Sequence, residues 1–237
     1  MTGYGQFCPV ARATEVLGER WTPLIIRELL SGHTRFNDIK RGVPRISPSL
    51  LTKRLRTLEK AGVVERNPED AQGGQSYRLT ARGWELEPIV RMMGEWGARW
   101  YQQPLTTDEL NPGLLLWDMR RSFDPRSLGT DGNVVIEFVF TDVERRKQHW
   151  WLIASAQEVQ VRAINPEQHV NLFVEAELRA VTEAWIGALD LRQAMTQGRV
   201  VLRGDSELVR RFPDLMKFNP FASARRPRGP GLAVADE

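Results

Sequence analysis

The chain has 237 residues, of which 41% are hydrophobic and 27% charged, with a formal net charge of +3. This length is too great for one small domain and suits two domains with cores of their own. No apolar run approaches the roughly 20 residues of a membrane span, and the N-terminus lacks the basic and apolar regions of a secretory signal. The single cysteine, Cys8, excludes an intramolecular disulfide framework, so we expect a cytoplasmic protein.

Charge is divided unevenly along the chain. Residues 1–103 carry 16 Lys and Arg against 11 Asp and Glu, whereas residues 104–237 carry 17 against 19. Within 35–66 the count is 9 against 3, a net charge of +6. A basic window of this kind is typical of a surface that binds a polyanion such as DNA. The second half has no such excess, and we do not expect it to bind nucleic acid.

Capping residues divide the start of the chain into short helices. Apolar spacing predicts a first helix that ends near Gly18. Thr22, followed by proline, opens a second helix, which Gly32 ends. Thr34 is expected to cap a third helix over 35–42, and a tight turn over 43–46 follows it.

A fourth helix, over 47–60, is predicted to present a basic face. Ser47 and Pro48 are typical of its first positions, and Gly62 is typical of the position after its end. Leucines at 51, 55 and 58 define its buried stripe. The opposite face suits the major groove of DNA, although the helix taken alone could equally be a solvated surface helix. The predicted DNA contacts in this region are Arg35, Ser47, Ser49, Thr52, Lys53 and Arg56.

A β-hairpin is predicted directly after this helix. Residues 63–66 and 76–79 read as strands around a polar, glycine-bearing loop over 67–75. Two short helices, a turn and a hairpin together indicate a winged helix-turn-helix. From the wing, Arg66, Ser76 and Arg78 could reach phosphates. The alternative is that the hairpin only completes a small sheet.

A long amphipathic helix is predicted over 81–101, with Thr80 as its cap. Its apolar residues follow the helical period along one stripe, and Pro88 would either kink the helix or mark its true start. So large a stripe is hard to bury within one small domain. A symmetric dimer contact is its natural use, and packing onto the second domain is the alternative.

Several short motifs within about residues 8–101 come in one order and spacing. They include Cys8-Pro9, Glu19-Arg20-Trp21-Thr22, Arg35-Phe36-Asn37-Asp38-Ile39, Ile46-Ser47-Pro48, Leu51-Thr52-Lys53-Arg54-Leu55 and Gly62-Val63-Val64-Glu65-Arg66. With them the chain resembles the HxlR-type winged helix-turn-helix family of bacterial regulators. The resemblance implies a homodimer, paired through helices near 9–17 and 81–101, that binds operator DNA with helix 47–60. The wing loop departs from the family, since it is glycine-rich where relatives often carry proline and valine.

The second half predicts an α+β domain after a polar linker over 102–112. A helix over 113–123 is followed by alternating strands and further helices, which suggests a four- or five-stranded sheet with helices on one side. The predicted strands cover 133–141, 149–155, 158–164, 171–177 and 199–203, and the predicted helices cover 178–186, 191–196 and 206–212. The predicted domains are thus 1–101 and 113–221, and the proline- and glycine-rich tail over 222–237 is expected to be disordered.

A second resemblance covers roughly residues 111–218. Asp190-Leu191-Arg192, Gly198 and Arg203-Gly204-Asp205, placed after a helix and a set of strands, resemble the sterol-carrier-like domain. The resemblance implies a tunnel for a small apolar ligand, enclosed by the sheet and its helices. The alternative is that the aromatic rings simply fill the core. The candidate ligand-binding residues are Leu115, Trp117, Phe138, Phe140, Trp151, Phe173, Trp185 and Met195.

Little in the sequence indicates catalysis. The three histidines are scattered, no spacing suggests a zinc site, and no nucleophile–base pair is present, so we expect no enzyme, no metal and no cofactor. Cys8 could be a redox or electrophile sensor if Arg12 lowers its pKa, and the alternative is an inert thiol.

The combined hypothesis is a ligand-responsive bacterial transcription regulator, a homodimer that binds operator DNA and a small apolar, lipid-like effector. Two other functions stay open: a redox-sensing regulator acting through Cys8, and a lipid-carrier module without DNA binding.

Overall fold

The protein consists of two compact units. The structure, a computed structural model, describes residues 3–67, 75–123, 133–155, 158–215 and 219–224. The first unit comprises Met1–Met93 and Gly113–Arg121, and the second comprises Gly94–Pro112 and Ser122–Glu237. These units differ from the predicted domains, because residues 94–112 group with the second unit and residues 113–121 with the first.

The first unit has the winged helix-turn-helix architecture that the sequence predicts. Its helix-turn-helix is α3 followed by α4, and β1 pairs with β2 in an antiparallel hairpin. Residues 68–74, which contain most of the predicted wing loop, lie outside the described residues. The elements are α1 (Pro9–Leu17), α2 (Thr22–Leu30), α3 (Phe36–Gly42), α4 (Pro48–Lys60), β1 (Val64–Asn67), β2 (Ser76–Leu79), α5 (Ala81–Trp84) and α6 (Glu87–Trp100).

The predicted cap of α4 is confirmed, and that of α3 is wrong. The Ser47 hydroxyl accepts a hydrogen bond from the Leu50 backbone N–H at 3.2 Å, and Gly62 ends the helix at a φ of 67°. Helix α3 has Arg35 at its N-cap position and no side-chain cap. The Thr34 carbonyl accepts instead from the Tyr77 backbone N–H at 2.7 Å, which ties the start of α3 to the hairpin.

The core of this unit lies between α2, α3, α4 and the hairpin. The leucine stripe of α4 is buried as its spacing predicts. The fully buried side chains of this core include Ile25, Ile26, Ile39, Leu51, Leu55 and Leu58.

The predicted helix over 81–101 is in fact two helices. Helix α5 ends at Trp84 and α6 begins at Glu87, so Pro88 lies in the first turn of α6, where its missing N–H breaks no helical bond. None of the residues of α6 is buried in the single chain, and the same holds for α1. Both helices therefore carry apolar side chains that the single chain leaves exposed.

The second unit is a five-stranded sheet with helices, which confirms the α+β prediction. The strand order is β5-β4-β3-β6-β7, with β3 and β6 parallel and the other neighbours antiparallel. The strands are β3 (Val134–Phe140), β4 (His149–Ala154), β5 (Val159–Arg162), β6 (Leu172–Ala176) and β7 (Val200–Gly204). The helices of this unit are α8 (Leu178–Trp185), α9 (Leu191–Thr196) and α10 (Ser206–Leu215), whereas α7 (Pro112–Met119) belongs to the first unit from Gly113 onward.

One face of this sheet forms the core of the second unit. Alternation along β3 places Ile136, Phe138 and Phe140 on that face, and all three side chains are fully buried. The Phe138 ring lies 6.2 Å from that of Phe212 in α10. The opposite face carries a smaller cluster in which Trp151 packs near Val135, Ile153 and Val170.

Candidate nucleic-acid interface

The outer face of α4 is exposed and basic. Ser47, Ser49, Lys53 and Arg56 are exposed, whereas Thr52 is half-buried on the flank of the helix. Their spacing places them along one side of the helix, opposite the buried leucines. A helix with such a side can lie in the major groove with its polar groups toward base edges and phosphates.

Local hydrogen bonds fix the N-terminal end of this face. The Ser47 and Ser49 hydroxyl oxygens lie 3.1 Å apart, and the Thr52 hydroxyl donates to the Pro48 carbonyl at 2.9 Å. The turn before α4 is held by Lys40, whose Nζ donates to the Pro44 carbonyl at 2.6 Å. Thr52 therefore has only its oxygen lone pairs to offer to a partner.

Arg54 orients α4 from behind, and the sequence reasoning did not single it out. Its side chain is buried, its Nε donates to the Arg20 carbonyl at 3.1 Å, and its guanidinium lies 2.5 Å from the Glu19 carboxylate. These contacts tie α4 to the segment between α1 and α2. The signal was available, because position 54 lies on the same helix side as Leu51, Leu55 and Leu58.

The predicted wing contacts differ from one another in the structure. Arg66 is exposed, and so is Arg35, which forms an isolated bridge with Ser76. Arg78 is exposed but its Nε donates to Glu65 across the hairpin at 2.5 Å. Ser76 is only 9% exposed, which corrects its prediction as a phosphate contact, since a buried side chain does not face solvent.

A buried carboxylate lies beneath the helix-turn-helix. Glu28 of α2 is fully buried, and it accepts hydrogen bonds from Arg27 of its own helix at 2.7 Å and from His33 Nδ1 at 2.8 Å. Burial alone would raise the pKa of this carboxyl group. The hydrogen bond from His33 and the positive charges of Arg27 and Arg121 outweigh burial and lower the pKa of Glu28 from 4.5 to about 2.

Two residues that lie about ninety positions after Glu28 in the sequence also donate hydrogen bonds to its carboxylate. Trp117 Nε1 donates to Glu28 at 3.4 Å, and Arg121 donates to both carboxylate oxygens at 2.9 and 2.8 Å. We call Arg27, Glu28, His33, Trp117 and Arg121 the Glu28 cluster. All five residues belong to the first unit.

The Glu28 cluster corrects part of the predicted ligand site. Trp117 was predicted to bind a ligand in the second domain, and it is instead a donor to Glu28 in the first unit. Leu115, which is buried, groups with the first unit as well. The physical reason is that α7 has a buried apolar side and is followed by Arg121, which compensates a buried carboxylate of the first unit.

The other six candidate ligand residues do not converge on one place. Phe138 and Phe140 pack against each other with ring centroids 6.0 Å apart, and the side chain of Trp185 is also buried. Trp151 and Phe173 point to the opposite face of the sheet, where Phe173 is exposed. Met195 is half-buried in α9. Most of these rings fill the core, as the alternative interpretation holds.

An open cavity of about 200 Å³ lies at another place in the second unit. None of the predicted ligand residues lines it. Its walls come from the end of α8, the start of α9 and residues further along the chain, namely Ala184, Gly187, Leu189, Asp190, Leu191, Arg192, Pro213 and Ala222.

Cys8 is half-buried directly before α1. Its backbone carbonyl accepts from the Arg12 backbone N–H at 3.1 Å, and its role as a sensor stays a prediction. Among the described residues, no group of His, Cys, Asp and Glu side chains is placed to hold a metal ion. In the same part of the chain, no helix has the length and apolar content to cross a membrane.

Comparison with known families divides the chain at similar places. The model of the HxlR-like helix-turn-helix family matches residues 16–104, and that of the SCP-2 sterol transfer family matches residues 130–217. Both matches agree with the resemblances seen in the sequence. Neither match includes residues 113–121.

Curated relatives are similar over about two fifths of the chain. An uncharacterized HTH-type transcriptional regulator of Synechocystis is 36% identical over 101 residues, which is 42% of this chain and 74% of the relative. YvaP of Bacillus subtilis, with the same description, is 37% identical over 98 residues, which is 40% of this chain and 90% of the relative. Among solved structures, the reduced form of the transcriptional regulator YodB from B. subtilis is 34% identical, with a TM-score of 0.36 over 40% of this chain and 95% of that chain.

Proposed function

The chain belongs to the HxlR-like helix-turn-helix family of DNA-binding transcription regulators, and we propose that it acts as a homodimer on operator DNA under the control of a small apolar ligand. The observation that supports DNA binding is the exposed basic face of α4, the second helix of the helix-turn-helix. A regulator of this kind works where the chromosome is, so we place it in the cytoplasm. Because its relatives are described as transcriptional regulators, we assign it no catalytic activity.

On this proposal Lys53 and Arg56 lie at the centre of the groove contact. Replacing either by alanine should cost about 1–3 kcal/mol of DNA binding if the side chain reaches a base, and it should reduce the salt dependence of binding. The DNA is the region upstream of the chain's own coding sequence. Affinity is measured by gel shift at several salt concentrations.

Lys147→Ala is the matched control, because Lys147 is an exposed lysine of the second unit that lies outside the basic window. It should bind DNA like the parent chain. If Lys53→Ala and Arg56→Ala also bind like the parent, α4 is not the recognition helix. If the parent chain itself shows no salt-sensitive preference for any DNA, the function as a whole is wrong.

The homodimer is supported by the uncovered sides of α1 and α6. Phe7, before α1, is 92% exposed, and Met92 and Trp96 of α6 are 67% and 62% exposed. Met92 and Trp96 lie one turn apart on the same side of α6, and exposed apolar side chains of this kind mark an interaction surface. Light scattering on the purified protein should give the mass of two chains, and the substitution Trp96→Glu should shift that mass toward one chain.

The ligand half is supported by the match of residues 130–217 to the SCP-2 sterol transfer family. We propose the cavity beside α8 and α9 as the entrance for a small apolar molecule, since its walls combine apolar side chains with Asp190 and Arg192. Native mass spectrometry of the purified full chain should detect a bound lipid-like molecule. Protein that remains free of added mass after incubation with fatty acid vesicles would contradict this half alone.

A further inference from the structure

The segment Gly113–Arg121 is unusual in its place in the chain. It groups with the first unit, while the residues before and after it group with the second. It also lies between the two family matches, which end at residue 104 and begin at residue 130. Its apolar side is well packed, since Leu116 and Met119 are fully buried.

The charged end of this segment meets the only acidic group that is fully buried among the described residues, Glu28. Arg121 donates to both oxygens of the carboxylate, and its second nitrogen donates to the Ser31 hydroxyl at 3.0 Å. Both bonds to the carboxylate come from Nη2, so with the bond from Nη1 to Ser31 the guanidinium is held at both of its terminal nitrogens. Because a buried carboxylate without partners is very costly, the segment is held where its donors meet Glu28.

Arg120 adds a second link, through His33. Its guanidinium lies 2.5 Å from His33 Nε2 and 3.5 Å from the centre of the Trp117 ring. Since an arginine can only donate, His33 must accept at Nε2 and donate from Nδ1 to Glu28. This arrangement joins Arg120, His33 and Glu28 in one chain of hydrogen bonds.

Glu28 in turn contacts the end of α3. Arg27, which is paired with Glu28, also donates to the Gly42 carbonyl at 3.2 Å. A Cβ atom at Gly42 would overlap the Glu28 carboxylate, so the backbone of α3 lies directly against it. Helix α3 is the helix that precedes the recognition helix, and the turn after it delivers the chain to Ser47.

We propose that Gly113–Arg121 is a positioning arm of the DNA-reading unit, in which Arg121 and Trp117 hold Glu28 and thereby set the placement of α3 before α4. The proposal rests on the proposed function for its DNA readout. It adds residues beyond the helix-turn-helix match to the machinery that binds DNA, and these residues touch no DNA themselves.

The test uses the full chain with Arg121→Met and its matched control Arg27→Met. Both substitutions remove one arginine from the same carboxylate, but only Arg121 links it to the arm. In Arg121→Met, backbone amides of 113–121 should exchange with deuterium about tenfold faster, and DNA affinity should fall about fivefold. In Arg27→Met, exchange over 113–121 should stay within about twofold of the parent.

The conservative variant Arg121→Lys keeps a charged donor and should restore part of both effects, which a general loss of folding would not do. It also serves as the test if Arg121→Met does not fold. Unchanged exchange over 113–121 in the folded Arg121→Met chain would overturn the inference. Faster exchange with unchanged DNA affinity would overturn it too, because the arm would then be packed without positioning the reader.

The two proposals fail in different ways. A parent chain that binds no DNA contradicts the proposed function, whereas the exchange experiment still reports whether Arg121 holds the arm. A parent chain that binds DNA, with Arg121→Met and Arg27→Met alike in their exchange over 113–121, contradicts the arm alone.

Discussion

The outer face of α4 and the Glu28 cluster use charge in opposite ways within one unit. On α4, Lys53 and Arg56 are exposed, and their charges are free to meet a partner. In the Glu28 cluster, a carboxylate that is fully buried meets donors from α2, His33 and the segment Gly113–Arg121. The charged side chains on α4 can change conformation to meet a partner, whereas those of the Glu28 cluster are held in place by their hydrogen bonds to the carboxylate.

The difference predicts where substitutions will be felt. Exposed charges contribute little to folding, because water screens them and their side chains stay mobile. A buried carboxylate with several donors contributes strongly once any partner is removed, since the remaining groups cannot reach water. We therefore expect substitutions on the outer face of α4 to weaken DNA binding, and substitutions in the Glu28 cluster to lower the free energy of unfolding.

The largest expected effect is that of Glu28→Gln. The substitution removes the charge and places an amide NH₂ group among nitrogen donors that need an acceptor. The free energy of unfolding should fall by about 3–5 kcal/mol at neutral pH, as measured by urea denaturation.

Glu59→Gln provides the matched comparison, because Glu59 is an exposed carboxylate of α4. Its free energy of unfolding should stay within about 0.5 kcal/mol of the parent. Equal destabilisation by the two substitutions would remove the contrast between the two regions.

Acid should reproduce part of the Glu28→Gln effect in the parent chain. The pKa of Glu28 is lowered from 4.5 to about 2 in the folded protein, so the stabilisation is present above pH 4.5 and is lost as the pH falls toward 2. The loss for this one group should amount to about 3 kcal/mol across that window. Urea denaturation at several pH values gives the free energy of unfolding as a function of pH. Between pH 4.5 and 2 this free energy should fall more steeply for the parent than for Glu28→Gln. An equal pH dependence in the two proteins would contradict a lowered pKa at Glu28.

How far the sequence predicts each region follows from the same contrast. Helix α4 is encoded locally, because its cap at Ser47, its leucine stripe and its terminating Gly62 all lie within sixteen residues. Its boundaries were therefore predictable from the capping residues, and its buried side was predictable from the leucine periodicity. The five strands of the second unit were predictable for the same reason.

The Glu28 cluster is not encoded locally. Trp117 and Arg121 reach Glu28 across 89 and 93 residues of chain, and no periodic pattern reports a contact of that range. The polar residues over 102–112 suggested a linker, which placed α7 in the second domain. One local feature does indicate a buried charge: Glu28 lies among the apolar residues of α2, a helix predicted to be central to the core.

The smallest expected effect tests whether the exposed face of α4 is also structural. Ser47 caps the helix through the Leu50 N–H, whereas Ser49 is an exposed neighbour with no capping role. Ser47→Ala should lower the free energy of unfolding by about 1 kcal/mol, and Ser49→Ala should change it by less than about 0.5 kcal/mol. If both substitutions weaken DNA binding but only Ser47→Ala lowers stability, then both serines contribute to the DNA surface and only Ser47 also stabilises the helix. If Ser47→Ala leaves stability unchanged, the cap contributes nothing measurable and the whole face serves the DNA partner.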